Sequence, residues 1–208
     1  QQLLQLSKQS EITVMIIGHV TKDGAIAGPK MLEHMVDTVL YLEGEDRYDH
    51  RILRSIKNRF GATNEVGIFL MDSEGLQEVK NPSELFLEER TKNIAGASIY
   101  PSLEGTRPIL VEVQALVSPA NFGPPQRNVN GFDFKRLSML LAVLEKRLRI
   151  AMGAQDVFVN LVGGLKINDP AADLSVISAI ASSSLEKTVD SNTVLIGEVG
   201  LAGEVRSV

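Results

Sequence analysis

Lys57 and Arg59 are the side chains whose type and spacing best suit chemistry. They stand one residue apart in KNRFGATNEVGIFLM, Lys57 to Met71. The stretch before them, HRILRSIKNR, and the one after, EVGIFLM, are short β-branched and apolar runs bounded by turn residues, which predicts two strands joined by a glycine turn. Alternation puts both cations on one side of their strand and Asn58 on the other. Two long cations on one face at a turn can reach past the edge of their own domain. In phosphoryl-transfer enzymes, that geometry suits an arginine finger lent to a neighbouring subunit's nucleotide. The other reading is a solvated hairpin end with ordinary surface charge.

The elements that must position this pair come next. QQLLQLSKQS reads as the end of a helix, with Leu3, Leu4 and Leu6 apolar. ITVMIIGHV is a continuous β-branched run, expected to be a strand buried on both faces of a parallel sheet. His19 ends it, where open α/β sheets place ligand contacts. A Gly-rich loop, Thr21 to Lys30, a short helix near Met31 to Met35 and a strand in VDTVLYLEG follow. Lys22 and Lys30 bracket the loop, which suits phosphate contact without base stacking, since it has no aromatic residue. A surface loop is the alternative.

Pro82 and the charged EER break the pattern near Asn81 to Lys92, where a linker is expected. Beyond it, GASIYPSLEGTRPILVEVQALV predicts two strands joined by a turn at Glu104 to Arg107, and SPANFGPPQRNVNG an ordered loop. Phe134, Leu137, Leu141, Leu144 and Leu148 recur at helical steps and predict a helix over 133–152. QDVFVNLVGG is expected as a strand. DPAADLSVISAIASSSLE should be a helix with Asp169 as N-cap and Pro170 at its first position. NTVLIGEVGL is expected as the last strand. Arg127, Lys135, Arg136, Lys146, Arg147 and Arg149 form a basic cluster mostly off the leucine stripe. It is either a nucleic-acid face or the ordinary charged side of an amphipathic helix.

With 208 residues and 44% hydrophobic content, the chain can build two modest cores. The absence of cysteine excludes disulfides and fits a reducing cytoplasm. A net charge of −5 argues against coating DNA by bulk charge, so contact must come from local patches. His19, His34 and His50 have no metal-ligand spacing, and no metal site is expected. No apolar run approaches a membrane span. No GxxxxGK[ST] loop occurs, so nothing here cradles β- and γ-phosphates, and the chain is expected to be a piece of a longer protein.

KNRFG resembles the signature of the bacterial RadA (Sms) proteins, RecA-type ATPases of recombinational DNA repair. GHVTKDGAIAGPKMLEHMVDTVLYLEG is similar to their DNA-contacting loop and the strand after it, and NPSELFLEER to their exit into a second domain. GGLKINDPAADL and GEVGLAGEVR resemble the Lon-protease-like domain that closes such chains. The resemblance is collinear and covers the whole chain. It implies an α/β fold: the later half of a RecA-like ATPase sheet in residues 1–90, then a Lon-protease-like (ribosomal protein S5 domain 2-like) α+β domain in 91–208. It implies a hexameric ring that uses ATP and Mg2+, held by residues missing from this stretch. The ring would move on single-stranded DNA and promote branch migration of recombination intermediates with the RecA recombinase, in the cytoplasm.

On that resemblance Lys57 and Arg59 act in trans on ATP, and His19 either senses the γ-phosphate or merely caps its strand. Lys22 and Lys30 would face DNA in the pore, and Lys135, Arg136 and Arg147 would contact it from the second domain. Zinc would belong only to an amino-terminal four-cysteine module, which these residues do not include. The motif that carries the nucleophilic serine in Lon proteases reads NDPAAD here, with Ala171 at the serine position. Alanine has no hydroxyl to activate, so protease chemistry is expected to be lost. The rival readings are an ATP-dependent Lon-type serine protease, a non-enzymatic ring-assembly or DNA-binding module, and a filament-forming recombinase.

Overall fold

A computed structural model describes residues 2–19, 31–44, 49–88, 90–121 and 123–208. Lys22 and Lys30 lie outside the described residues. Helix α1 (Gln2–Ser10) is followed by α2 (Met31–Met35), then by an antiparallel meander of β1 (Thr38–Glu43), β2 (His50–Asn58), β3 (Val66–Asp72) and β4 (Gly75–Glu78). Helix α3 (Pro82–Leu87) leads to a second sheet built from β5 (Ala97–Glu104), β6 (Arg107–Pro119), β7 (Arg127–Asn130) and β8 (Gln155–Leu161), in the order β5-β6-β8-β7. Helix α4 (Phe134–Leu148) connects β7 to β8, which run parallel, as a helical crossover allows. A 3-10 turn (Pro170–Ala172), α5 (Asp173–Leu185) and the short pair β9 (Glu198–Val199) and β10 (Val205–Arg206) complete a mixed α/β fold.

Alternation along β6 sorts the second sheet. Ile109, Val111, Val113 and Ala115 point into the core together with Val157, Val159 and Leu161 of β8. Helices α4 and α5 cover that face with Leu137, Leu140, Leu141, Val143, Leu144, Val176, Ala179 and Ile180. The leucine stripe is therefore buried at its centre, while Phe134 and Leu148 at its ends are exposed. Asp133 caps α4 by accepting the Arg136 N–H at 2.7 Å. The helix stops at Leu148, short of the expected 152, because Arg149 takes a left-handed φ of 58° and Ile150 N–H turns back to Leu144 O.

The segment expected as a linker packs against both sheets. Pro82 and Phe86 of α3 are buried, and Ser83 Oγ accepts from Leu110 N–H of β6 at 3.0 Å. Ile52 and Ile68 of the first sheet join Phe86, Tyr100 and the second sheet in one continuous core. Arg54 on β2 donates to Glu104 at the end of β5 at 2.6 Å and to Glu43 at 3.0 Å. Gly105, at φ +64° in the β5–β6 turn, lies so close to the meander that a Cβ there would stand 2.1 Å from the Asn64 carbonyl.

Three further expectations are corrected. ITVMIIGHV is not a buried strand over its described residues: 12–19 form no strand, and Met15 and Ile17 are 80% and 89% exposed. Burial on two faces requires flanking strands, and among the described residues none lies alongside. The Pro/Gly/Asn-rich segment is not all loop, since 127–130 forms β7, held by the Arg127 guanidinium on the carbonyls of Gln126, Met152 and Gln155. NTVLIGEVGL is not one strand either. Val194 makes an isolated bridge to Ile99, and only Glu198–Val199 is a regular strand. The Leu195 carbonyl between them is taken by Ser175 Oγ of α5.

Candidate functional site

The end of β2 is shaped by a bulge. Val39 faces Lys57, but Leu40 faces Ser55, so Ile56 is the extra residue on β2. Bulges re-aim the side chains that follow them. Both cations then reach one place, the junction between α2 and β1. Lys57 Nζ donates to the carbonyls of Glu33 (2.8 Å), His34 (3.2 Å) and Val36 (2.7 Å), which closes the carboxyl end of α2. Arg59 Nη1 donates to Asp37 Oδ1 at 2.9 Å, and the Arg59 backbone N–H donates to Asp37 O, also at 2.9 Å.

Asn58 turns the other way and builds the turn. Its Oδ1 accepts from Phe60 N–H at 3.2 Å, and its Nδ2 donates to Ala62 O at 3.3 Å. Phe60 is left 82% exposed at the tip. The two cations are not equivalent. An ammonium has three donors, and all three of Lys57's find carbonyls. The Arg59 side chain is 61% exposed, and its guanidinium donates to Asp37 through one nitrogen. His19 lies in the exposed 12–19 run and takes no part in these hydrogen bonds.

The basic cluster divides in the same way. Arg136 lies against the fully buried Asp173: Nε donates to Oδ1 at 2.8 Å, Nη2 to Oδ2, and Nη2 also reaches Glu198 Oε1 at 3.2 Å. Val199 N–H completes the Asp173 shell at 3.0 Å. The Asp173 hydrogen bonds raise the guanidinium's pKa above its ordinary value, against an opposing effect of burial. Arg127 is likewise occupied by carbonyls. Lys135, Lys146, Arg147 and Arg149 remain on the exposed side of α4 and its end, with Arg147 Nε donating to Leu201 O at 3.2 Å.

Ala171 sits in the 3-10 turn and is 3% exposed. Its N–H donates to Asp169 Oδ1 at 2.9 Å, and its carbonyl accepts from Gly197 N–H at 2.9 Å. Asp169 Oδ2 accepts from Tyr100 O–H at 3.2 Å. Burial chiefly, with the Asp169 charge, pushes the Tyr100 phenol well above its usual range. The serines on α5 hold the fold: Ser175 bonds the Ile99 and Leu195 carbonyls, Ser182 Oγ accepts from Gly96 N–H, and Ser183 Oγ from Val117 N–H. Among the described residues no group of three or more His, Asp or Glu is placed to hold a metal, and no helix is long and apolar enough to cross a membrane.

Sequence reasoning missed Asp37, Asp173 and Glu198. Asp37 is 22 residues from its arginine, and its pairing depends on a bulge that the residue pattern does not announce.

No family model matches the chain. Curated relatives do, along nearly all of it. The DNA repair protein RadA of Bacillus subtilis is 56% identical over 207 residues, covering 100% of this chain and 45% of that protein. RadA of Streptococcus pneumoniae is 55% identical over 207 residues (100% of this chain, 49% of the relative), and that of Halalkalibacterium halodurans 54% over 205 residues (99% and 45%). The chain thus spans about half the length of the relatives it matches. Over that shared length, it belongs to the RadA family of DNA repair proteins.

Proposed function

We propose that this segment serves an ATP-driven DNA repair ring, with residues 1–90 as the later part of a RecA-like core and 91–208 as a Lon-like domain without protease chemistry. The observation that carries the reading is the β2–β3 hairpin. A bulge brings Lys57 and Arg59 to one junction, and the Arg59 side chain stands 61% exposed within a chain 56% identical to a DNA repair protein RadA. A guanidinium so placed suits stabilisation of charge on a neighbouring subunit's nucleotide. ATP and Mg2+ would be held by residues of the longer chain, because no GxxxxGK[ST] loop occurs in these 208 residues. When bound, the nucleotide supplies the phosphoryl group whose transfer drives the ring.

In this proposal the protein is a homo-hexamer in the cytoplasm. It moves on single-stranded DNA and promotes branch migration of recombination intermediates with RecA. Lys22 and Lys30 contact DNA in the pore, His19 senses the γ-phosphate, and exposed Lys135 and Arg147 extend the DNA path. Arg136 has no free role there, being committed to Asp173. A Lon-type protease is not proposed, since Ala171 is buried and lacks a hydroxyl. A second reading has one observation in its favour: the three carbonyl contacts of Lys57 suit a structural brace. The test is ATP turnover by full-length hexamers carrying Lys57→Ala/Arg59→Ala. A loss of about 10³-fold or more in DNA-stimulated rate, with rings intact, is expected. Turnover equal to wild type would remove the finger reading.

A further inference from the structure

We propose that Asp37 is the positioning residue for Arg59, and that Arg59 alone of the pair is the arm that reaches the nucleotide. The inference rests on the finger reading above and assigns roles within it. Asp37 holds Arg59 at two points, side chain to side chain at 2.9 Å and backbone carbonyl to backbone N–H at 2.9 Å. One point fixes where the strand ends, and the other limits how the guanidinium turns. The fork has five N–H donors. A carboxylate on one nitrogen leaves the opposite edge able to meet a planar or tetrahedral oxyanion.

Lys57 cannot share that task in the same arrangement. Its three donors are directed at three carbonyls of the α2 end, so a phosphate would have to displace them. It braces β2 against α2, one residue before Asn58 opens the turn. Asp37 itself is exposed (44% for its side chain), and so open a pair contributes little to stability. Asp37→Asn is therefore expected to fold.

The experiment measures ATP turnover of full-length hexamers with single-stranded DNA for Asp37→Asn, Asp37→Glu, Arg59→Ala and the Asp37→Asn/Arg59→Ala double variant. Misdirection of the arm should lower kcat for Asp37→Asn by about tenfold to a hundredfold. KM for ATP should stay within about twofold, because the lost interaction belongs to the transition state. Asp37→Glu keeps the charge but moves it by one methylene, and should fall between wild type and Asp37→Asn. In the double variant the Asn change should add nothing to Arg59→Ala, as expected for a residue acting through another. Unchanged kcat in Asp37→Asn, or an additive loss in the double variant, would overturn the proposal. If Asp37→Asn rings fail to assemble, Asp37→Glu decides, and an unchanged kcat there overturns it equally. A fully active Arg59→Ala would instead bring down the finger reading itself.

Discussion

Arg136→Ala tests whether the second domain's most engaged cation serves the fold or DNA. Asp173 has no exposed surface, and its carboxylate is held by Arg136 Nε and Nη2 and by the Val199 N–H. Glu198 shares the same guanidinium nitrogen, Nη2. Truncating Arg136 leaves a buried carboxylate with the Val199 amide as its remaining partner. Breaking one side of a buried pair in this way costs about 3–5 kcal/mol. For a unit of this size that corresponds to a melting temperature lower by about 6–20 °C. Scanning calorimetry reads the loss, and faster hydrogen exchange at the Val199 amide locates it. An apolar replacement of both partners, Arg136→Met with Asp173→Leu, should recover most of the stability. A change under about 1 kcal/mol, with DNA affinity sharply reduced, would refute the reasoning and return Arg136 to the DNA surface.

Other expectations follow from neighbouring parts of the fold. Burial pushes the Glu112 carboxyl above its ordinary range, despite the Gln114 hydrogen bond and the Arg90 charge, which lower it. The folded state therefore favours the protonated form: the burden is absent below the unfolded pKa, grows from there, and is complete once pH has risen through the folded value. Glu112→Gln should accordingly raise the melting temperature more at pH 7 than at pH 4, and an equal or opposite difference would contradict this. Gly105→Ala should cost about 1–3 kcal/mol in backbone strain alone. The clash with Asn64 O adds to it and loosens the contact between the two sheets, measurable as a lower melting temperature. Ala171→Ser should give no peptidase activity on unfolded protein substrates, and placing a hydroxyl at this buried position should destabilise by about 1–3 kcal/mol.

Local signals were legible where neighbours in sequence determine the outcome. The β2–β3 hairpin and the centre of the α4 stripe emerged as expected, because turn chemistry and periodicity act over a few residues. Asp169 and Pro170 do cap and open a turn, but it is a 3-10 turn, and α5 begins at Asp173 with Ala172 before it. What escaped depends on partners far along the chain. The apolar run over 12–19 reads as a buried strand, yet its burial needs flanking strands that the described residues do not supply. Arg136 lies off the leucine stripe like its basic neighbours, and only the fold brings Asp173, 37 residues away, under it. β7 carries one apolar residue in four, so no alternation signals it, and its pairing comes from β8 across a helix. Arg149 ends α4 in a conformation that glycine usually takes, which hid the boundary. The site was visible as a pair of cations, whereas the acceptors that distinguish them, Asp37 and the α2 carbonyls, were not.

The central claim, that Arg59 acts across a subunit boundary, is tested most directly by mixing. Full-length Arg59→Ala subunits are combined with subunits disabled in their phosphate-binding loop, each inactive alone, and ATP turnover is followed with and without single-stranded DNA. The account predicts that mixing restores part of the DNA-stimulated rate, because intact sites then face intact arms. Mixed rings that assemble but stay as inactive as their components, or Arg59→Ala rings that are fully active by themselves, would contradict it.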